Sequence, residues 1–225
     1  MSSHDRDTVG KIEVLITDIA LGDELPDVSR ELDAAGIAPN STLVDSTVRI
    51  AKALAVNPES TRHLAVLLAD QLDSPHPTGA LVNFLRYLET VGVSGTFLRT
   101  LAEGPPIREI LATVFGSSQY MADIIVRNPG YLYWLIERQT LEEADTSEEL
   151  ETALGRDTGM FETAEGRLNA VRRFQRRQLL KIGVKDLLGL DTLESTARQL
   201  SDLADAVARS VLRILWDDMR ESASS

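Results

Sequence analysis

The segment LESTARQLSDLADAVARSVLRILW, residues 193–216, settles the class of this fold. Leu193, Ala197, Leu200, Leu203, Ala204, Val207, Val211 and Leu215 recur at steps of three and four. That interval keeps one stripe of an α-helix facing a core. Asp202, Asp205, Arg209 and Arg213 fall largely off the stripe, as solvated positions should. A strand would have alternated every second residue instead.

The same period returns elsewhere between regularly placed helix breakers, and no segment reads as a strand. Pro26, Pro39, the Pro75 and Pro77 pair, Pro105 with Pro106, and Pro129 punctuate the apolar runs. Asn57-Pro58 and Asn128-Pro129 each place an N-cap residue before a proline suited to the first helical position. Thr146 to Glu149 has the spacing of a capping box, and Asp191 to Glu194 repeats it with Asp as the cap. The expectation is an all-α, multi-helix bundle of about ten to twelve helices with no sheet. The helices are expected near 9–21, 27–35, 41–55, 58–72, 79–91, 95–102, 106–115, 118–127, 129–138, 147–154, 160–188 and 192–221. Residues 73–79, DSPHPTG, read as a hinge or tight connector, which divides an N-terminal helical segment, 1–72, from a helical region, 73–225. The acidic stretch 139–158 reads as a second break, a loop with one short helix.

Composition bounds the function. The 225 residues are 43% hydrophobic, 26% charged and only 5% aromatic, the make-up of an ordinary helical globule. A net charge of −12 argues against general nucleic-acid binding, which needs a cationic surface. No run approaches the roughly 20 apolar residues of a membrane span, and the polar start, Met1 to Lys11, does not read as a secretory signal. With no cysteine there is neither a disulfide nor a thiolate metal site; a cytoplasmic protein is expected.

The sequence carries no recognisable catalytic motif. His4, His63 and His76 are far apart, with no paired metal-ligand spacing. The chain contains no nucleophile elbow, no phosphate-binding loop and no dinucleotide fingerprint. A nucleotidyltransferase palm needs Gly-Ser followed by paired carboxylates on a strand, to hold Mg²⁺ against a triphosphate. Gly116-Ser117 is followed only by Asp123 in a helical context. Asp5 with Asp7, Glu143 with Asp145, and Glu149 with Glu151 lack the preceding Gly-Ser. Catalytic, cofactor and metal residues are therefore not expected within these residues.

Charge is unevenly placed. Residues 137–165 are acidic, whereas Arg167, Arg172, Arg173, Arg176, Arg177, Lys181 and Lys185 form a basic run. At about 100° per residue, Arg172, Arg176, Arg173 and Arg177 span an arc of roughly 140°, while Leu168, Val171, Phe174 and Leu179 occupy the other side. Beyond Leu180 the apolar residues wrap around the helix, so that half should be more buried. The arginine face has two open readings: it holds a phosphate or an acidic partner surface, or it pairs with the acidic segment upstream.

Three stretches resemble one family. Residues 115–129, FGSSQYMADIIVRNP, with Tyr131 to Leu135; residues 171–182, VRRFQRRQLLKI, with Asp186 to Gly189; and residues 200–205, LSDLAD, are similar to signature stretches of the bacterial glutamine synthetase adenylyltransferases. They come in the family's order, and with a weaker match over 77–104 the resemblance covers about 73–215. It implies a helical region that precedes a nucleotidyltransferase palm in a large bifunctional enzyme. Such enzymes transfer AMP from ATP to a tyrosine of glutamine synthetase and remove it by phosphorolysis, under control of PII signalling proteins and glutamine. The palm's glycine-rich and Ser-Asp-x-Asp motifs have no counterpart in this chain, so ATP and Mg²⁺ are expected of the full-length enzyme rather than of these residues. On this reading Phe174, Ile182, Leu187, Leu203 and Val207 are core. Arg172, Arg173, Arg176, Arg177 and Asp186 are candidate contacts with the palm, nucleotide or partner. A stand-alone helical interaction module without catalysis is the alternative.

Overall fold

The computed structural model describes residues 3–21, 27–34, 38–54, 58–137, 140–142 and 144–223. They form twelve α-helices and, among the described residues, no strand. In chain order these are α1 (Ser3–Leu21), α2 (Val28–Ala34), α3 (Ser41–Leu54), α4 (Pro58–Leu72), α5 (Pro77–Val91) and α6 (Gly95–Glu103). There follow α7 (Pro105–Ser117), α8 (Gln119–Arg127), α9 (Gly130–Ile136), α10 (Ser147–Gly159), α11 (Ala164–Leu187) and α12 (Leu193–Ala223). The all-α expectation and its count of helices are met. None of the described helices is long and apolar enough to cross a membrane.

The chain divides into two compact units, residues 1–133 and 134–225. In the first, α4 and α5 are central: α5 packs on α3, α4, α7 and α8, and α4 packs on α1, α6 and α7. Phe84 and Tyr87 of α5 meet Phe115 of α7 at ring-centroid distances of 6.5 and 5.9 Å, and Phe97 of α6 lies 6.2 Å from Tyr87. Tilted aromatic pairs at such distances add to the stabilisation from buried area alone. Burial raises the pKa of the Tyr87 phenol.

The connector 73–76 lies inside this first unit, as a tight turn from α4 to α5. The Ser74 hydroxyl donates to the Gln71 carbonyl at 2.6 Å. Gly116 of α7 abuts the same turn, so closely that a Cβ on it would stand 2.5 Å from the Ser74 Cβ. Only glycine permits that approach.

The second unit contains α10, α11 and α12, each packed on the other two. Its core gathers Leu150, Leu154, Val171, Phe174, Ile182, Leu203, Ala206 and Ile214. Thr146 caps α10 with the full reciprocal box: its hydroxyl accepts from the Glu149 N–H and Glu149 accepts from the Thr146 N–H. α11 closes on Gly189, φ +67°, with Gly189 N–H bonded to the Asp186 carbonyl and Leu190 N–H to that of Lys185. This is the paired pattern of a Schellman end, in which a left-handed glycine turns the chain out of the helix.

Several expectations are corrected. α10 continues to Gly159 rather than stopping at 154, and α11 begins at Ala164 rather than 160. Asn128 does not act as a cap for α9; it closes α8, with its N–H and its side-chain amide both donating to the Ile124 carbonyl. Asn57 lies outside the described residues. The cap of α12 is Thr192, whose hydroxyl accepts from the Ser195 N–H, one residue later than expected.

The stripe on α12 is rotated. Leu203 is buried and Val207 is half-buried, but Leu193 is 78% exposed, and Leu200 and Leu215 are 41% and 44% exposed. The inward face is Thr196, Gln199, Leu203, Ala206 and Ile214, turned by about one residue step, or roughly 100°. Polar bonds explain the turn. Thr196 donates to Asp186, and Gln199 donates to Asp191 at 2.8 Å, so the first turns of α12 are fixed by one carboxylate at the end of α11 and one in the turn between the helices. Leu187, expected in the core, is exposed for the same reason, because the helix end faces these polar partners.

Candidate functional site

α11 separates its cations by depth. In its first half the inward positions Ala170, Val171, Phe174 and Gln178 leave Arg172, Arg173 and Arg176 outside. In its second half Leu180, Lys181, Ile182, Val184 and Lys185 are all buried, as the wrapped apolar pattern suggested.

The four arginines are not equivalent. Arg177 is half-buried, its guanidinium 5.4 Å from the Trp134 ring centroid and 5.6 Å from that of Phe174. One of its terminal nitrogens lies 3.3 Å from Asp157. A flat cation held against aromatic faces and one carboxylate has little rotational freedom. Arg173 sits 5.2 Å from the Phe161 ring centroid, which tethers it to the turn after α10. Arg172 donates to Asn169 at 2.7 Å and remains exposed. Arg176 is exposed and has no bonded partner among the described residues. Of the two readings of this face, pairing with the acidic segment thus holds for Arg177 and leaves Arg172 and Arg176 outward, four residues apart on one side.

Asp186 is drawn into structure. Its carboxylate accepts from the Thr196 hydroxyl at 3.2 Å, which joins the end of α11 to the start of α12.

Two lysines of the basic run, which the sequence did not separate from its arginines as candidate contacts, are buried. Lys181, 4% exposed, donates to Asp145 at 2.8 Å; Lys185, 2% exposed, lies 3.1 Å from Asp191. Their spacing of four, on the side of α11 away from Arg172, was the available signal. Burial pushes the Asp191 carboxyl upward, but hydrogen bonds from Gln199, Lys185 and Ser195 outweigh it and hold the group below its ordinary range. Each lysine fastens a loop: one the entry to α10, the other the turn into α12.

The stretch 115–129 also resolves into contacts. Ser118 caps α8. Asp123 accepts from Arg86 and Gln119, both at 2.9 Å, while the buried Asn83 amide donates to the Phe115 carbonyl. Burial opposes the charge on Asp123, yet the bonds from Arg86 and Gln119 lower its pKa. This network locks α5 to α8 and is architectural. Among the described residues, no group of three or more His, Cys, Asp or Glu is placed to hold a metal. What the arrangement offers chemically is a pre-oriented cationic surface on α11, suited to a carboxylate or phosphate.

A profile of the glutamate-ammonia ligase adenylyltransferases matches residues 108–225. Among curated proteins, the chain is 34% identical over 145 residues to the bifunctional glutamine synthetase adenylyltransferase/adenylyl-removing enzyme of Neisseria meningitidis, covering 64% of this chain and 16% of that protein. It is 28% identical over 210 residues to the enzyme of the same name from Chromobacterium violaceum, covering 84% of this chain and 23% of the relative. The like-named protein of Mycobacterium tuberculosis is 29% identical over 163 residues, 67% of this chain and 16% of the relative. The chain therefore spans about a fifth of the length of the curated relatives it matches.

Proposed function

This chain belongs to the glutamate-ammonia ligase adenylyltransferase family, and we propose that it forms a helical segment of an enzyme that adenylylates glutamine synthetase and removes the adenylyl group. AMP passes from ATP to a tyrosine of glutamine synthetase, and phosphorolysis reverses it. The chemistry belongs to a nucleotidyltransferase palm, and this segment is inactive alone. ATP and Mg²⁺ are held by that palm. Glutamine synthetase and a PII signalling protein are the partners, in a cytoplasmic setting.

One observation carries the reading at residue level: Arg172 and Arg176 stand outward on a helix whose neighbouring cations, Arg173 and Arg177, are already fixed by aromatic faces. A rigid platform with two outward guanidiniums, neither paired with a carboxylate among the described residues, suits an anionic surface of the palm, its nucleotide or a partner protein. Asp186 acts from behind, by holding the start of α12.

The test is made in a full-length family enzyme that carries this segment. Arg172→Gln with Arg176→Gln should lower AMP transfer to glutamine synthetase by about tenfold or more, the loss that follows removal of charge-assisted hydrogen bonds. Circular dichroism should be unchanged, because neither side chain supports the core. Transfer at the unaltered rate would remove the arginine face from the mechanism.

A further inference from the structure

A second cationic feature lies away from the α11 platform, in a cavity of about 210 Å³ between α10 and α12 with the first turn of α11 at its edge. Arg167, Arg209 and Arg213 line it, with the Ser210 hydroxyl. Gly155 and Gly159 form part of its wall, and a Cβ at either would meet nothing within 4 Å. The space thus reaches the α10 backbone itself.

The three guanidiniums differ in what already neutralises them. Arg209 is bound to Glu151 and lies 3.8 Å from Asp205. Arg167 gives its Nε to the Phe161 carbonyl at 2.9 Å, a neutral partner. Arg213 has no bonded partner among the described residues. Asp217, on the next turn of α12, also lines the cavity. The charged lining therefore holds three cations and two carboxylates, Glu151 and Asp217, a net charge of one positive in a chain whose total is −12. Two guanidiniums, from different helices, carry charge that no carboxylate within bonding distance balances.

We propose that this cavity is a binding site for a tetrahedral oxyanion of the phosphate class, held by Arg167, Arg213 and the Ser210 hydroxyl. The geometry selects the class. A planar carboxylate matches one guanidinium fork in a single plane. Two guanidiniums from separate helices and a serine line the same cavity, so donors are available from more than one side, which suits a group with oxygens on several sides. The volume admits such an anion with water around it, and the glycine wall leaves room for a small substituent on one oxygen. The proposal does not depend on the role of Arg172 and Arg176 or on the palm.

The experiment titrates the full 225-residue chain with inorganic phosphate at constant ionic strength, followed by calorimetry and by amide chemical shifts. Phosphate should bind one to one, shift the amides of Gly155, Gly159 and Ser210, and be displaced by sulfate. Acetate should bind at least about tenfold more weakly. Arg167→Gln with Arg213→Gln should lower phosphate affinity by about tenfold or more while the amide spectrum of the α11 platform stays in place. Gly155→Leu, which fills the cavity and leaves every arginine present, should abolish binding and so separates loss of the site from loss of charge. Acetate binding as tightly as phosphate, unchanged affinity in the double variant, or no saturable binding at all would overturn the assignment.

Discussion

Lys185 Nζ lies 3.1 Å from Asp191 Oδ2, with side chains 3% and 12% exposed, and this pair decides how α12 leaves α11. Asp191 also accepts from Gln199 and Ser195, so one carboxylate turns two polar positions of α12 inward. Removing one member of a buried pair leaves the other charged and uncompensated, at a cost of about 3–5 kcal/mol. Asp191→Asn should lower unfolding free energy by about that amount in urea titrations. The pH dependence has a definite sign. The folded carboxyl titrates below its unfolded value of about 4. Its stabilisation is complete above that value and is lost as pH falls through the lower folded one. Thermal scans from neutrality downward should show the gap between parent and Asp191→Asn closing only below about pH 4.

Gly116 should not tolerate a side chain. With a Cβ 2.5 Å from the Ser74 Cβ, Gly116→Ala forces either α7 or the 73–76 turn to shift, at about 1–3 kcal/mol. Ser74→Gly removes the obstructing atoms. Combined with Gly116→Ala, it should recover much of the lost melting temperature despite losing the Ser74 bond to Gln71. A double mutant no more stable than Gly116→Ala would locate the strain elsewhere.

Arg177→Lys should behave as a disruptive change. An ammonium cannot lie flat between the Trp134 and Phe174 rings while reaching Asp157. A loss of about 1 kcal/mol is expected. In a Trp216→Phe background only Trp134 emits, and its emission maximum should shift in Arg177→Lys and stay put in Arg172→Lys.

The Thr146 box should report locally. Thr146→Ala should cost about 1 kcal/mol, with faster hydrogen exchange in the first turn of α10 and no change across α5 and α8.

The helices were readable because punctuation and period agreed almost everywhere: prolines at 58, 77 and 105 open α4, α5 and α7 where the apolar runs begin. The rotation of α12 was not readable. Its two faces are both apolar over much of their length, with Leu193, Leu200, Leu215 and Trp216 on one side and Leu203, Ala206 and Ile214 on the other. Hydrophobic spacing alone cannot choose between them; Thr196 and Gln199, which bond carboxylates outside the apolar pattern, make the choice. The same limit applies to the site. Arg172, Arg173, Arg176 and Arg177 were visible as one face, but the division between fixed and outward members depends on Phe161, Trp134 and Asp157. The cavity arginines, drawn from two helices, have no spacing that marks them.

α12 has 31 residues, about 46 Å at 1.5 Å per residue. Its inward positions stop at Ile214, and beyond it Leu215, Trp216 and Met219 are exposed. The apolar seam of α12 thus ends before the helix does, and its first turns are held by Asp191, so Leu215, Trp216 and Met219 present an apolar strip on a helix anchored at its opposite end.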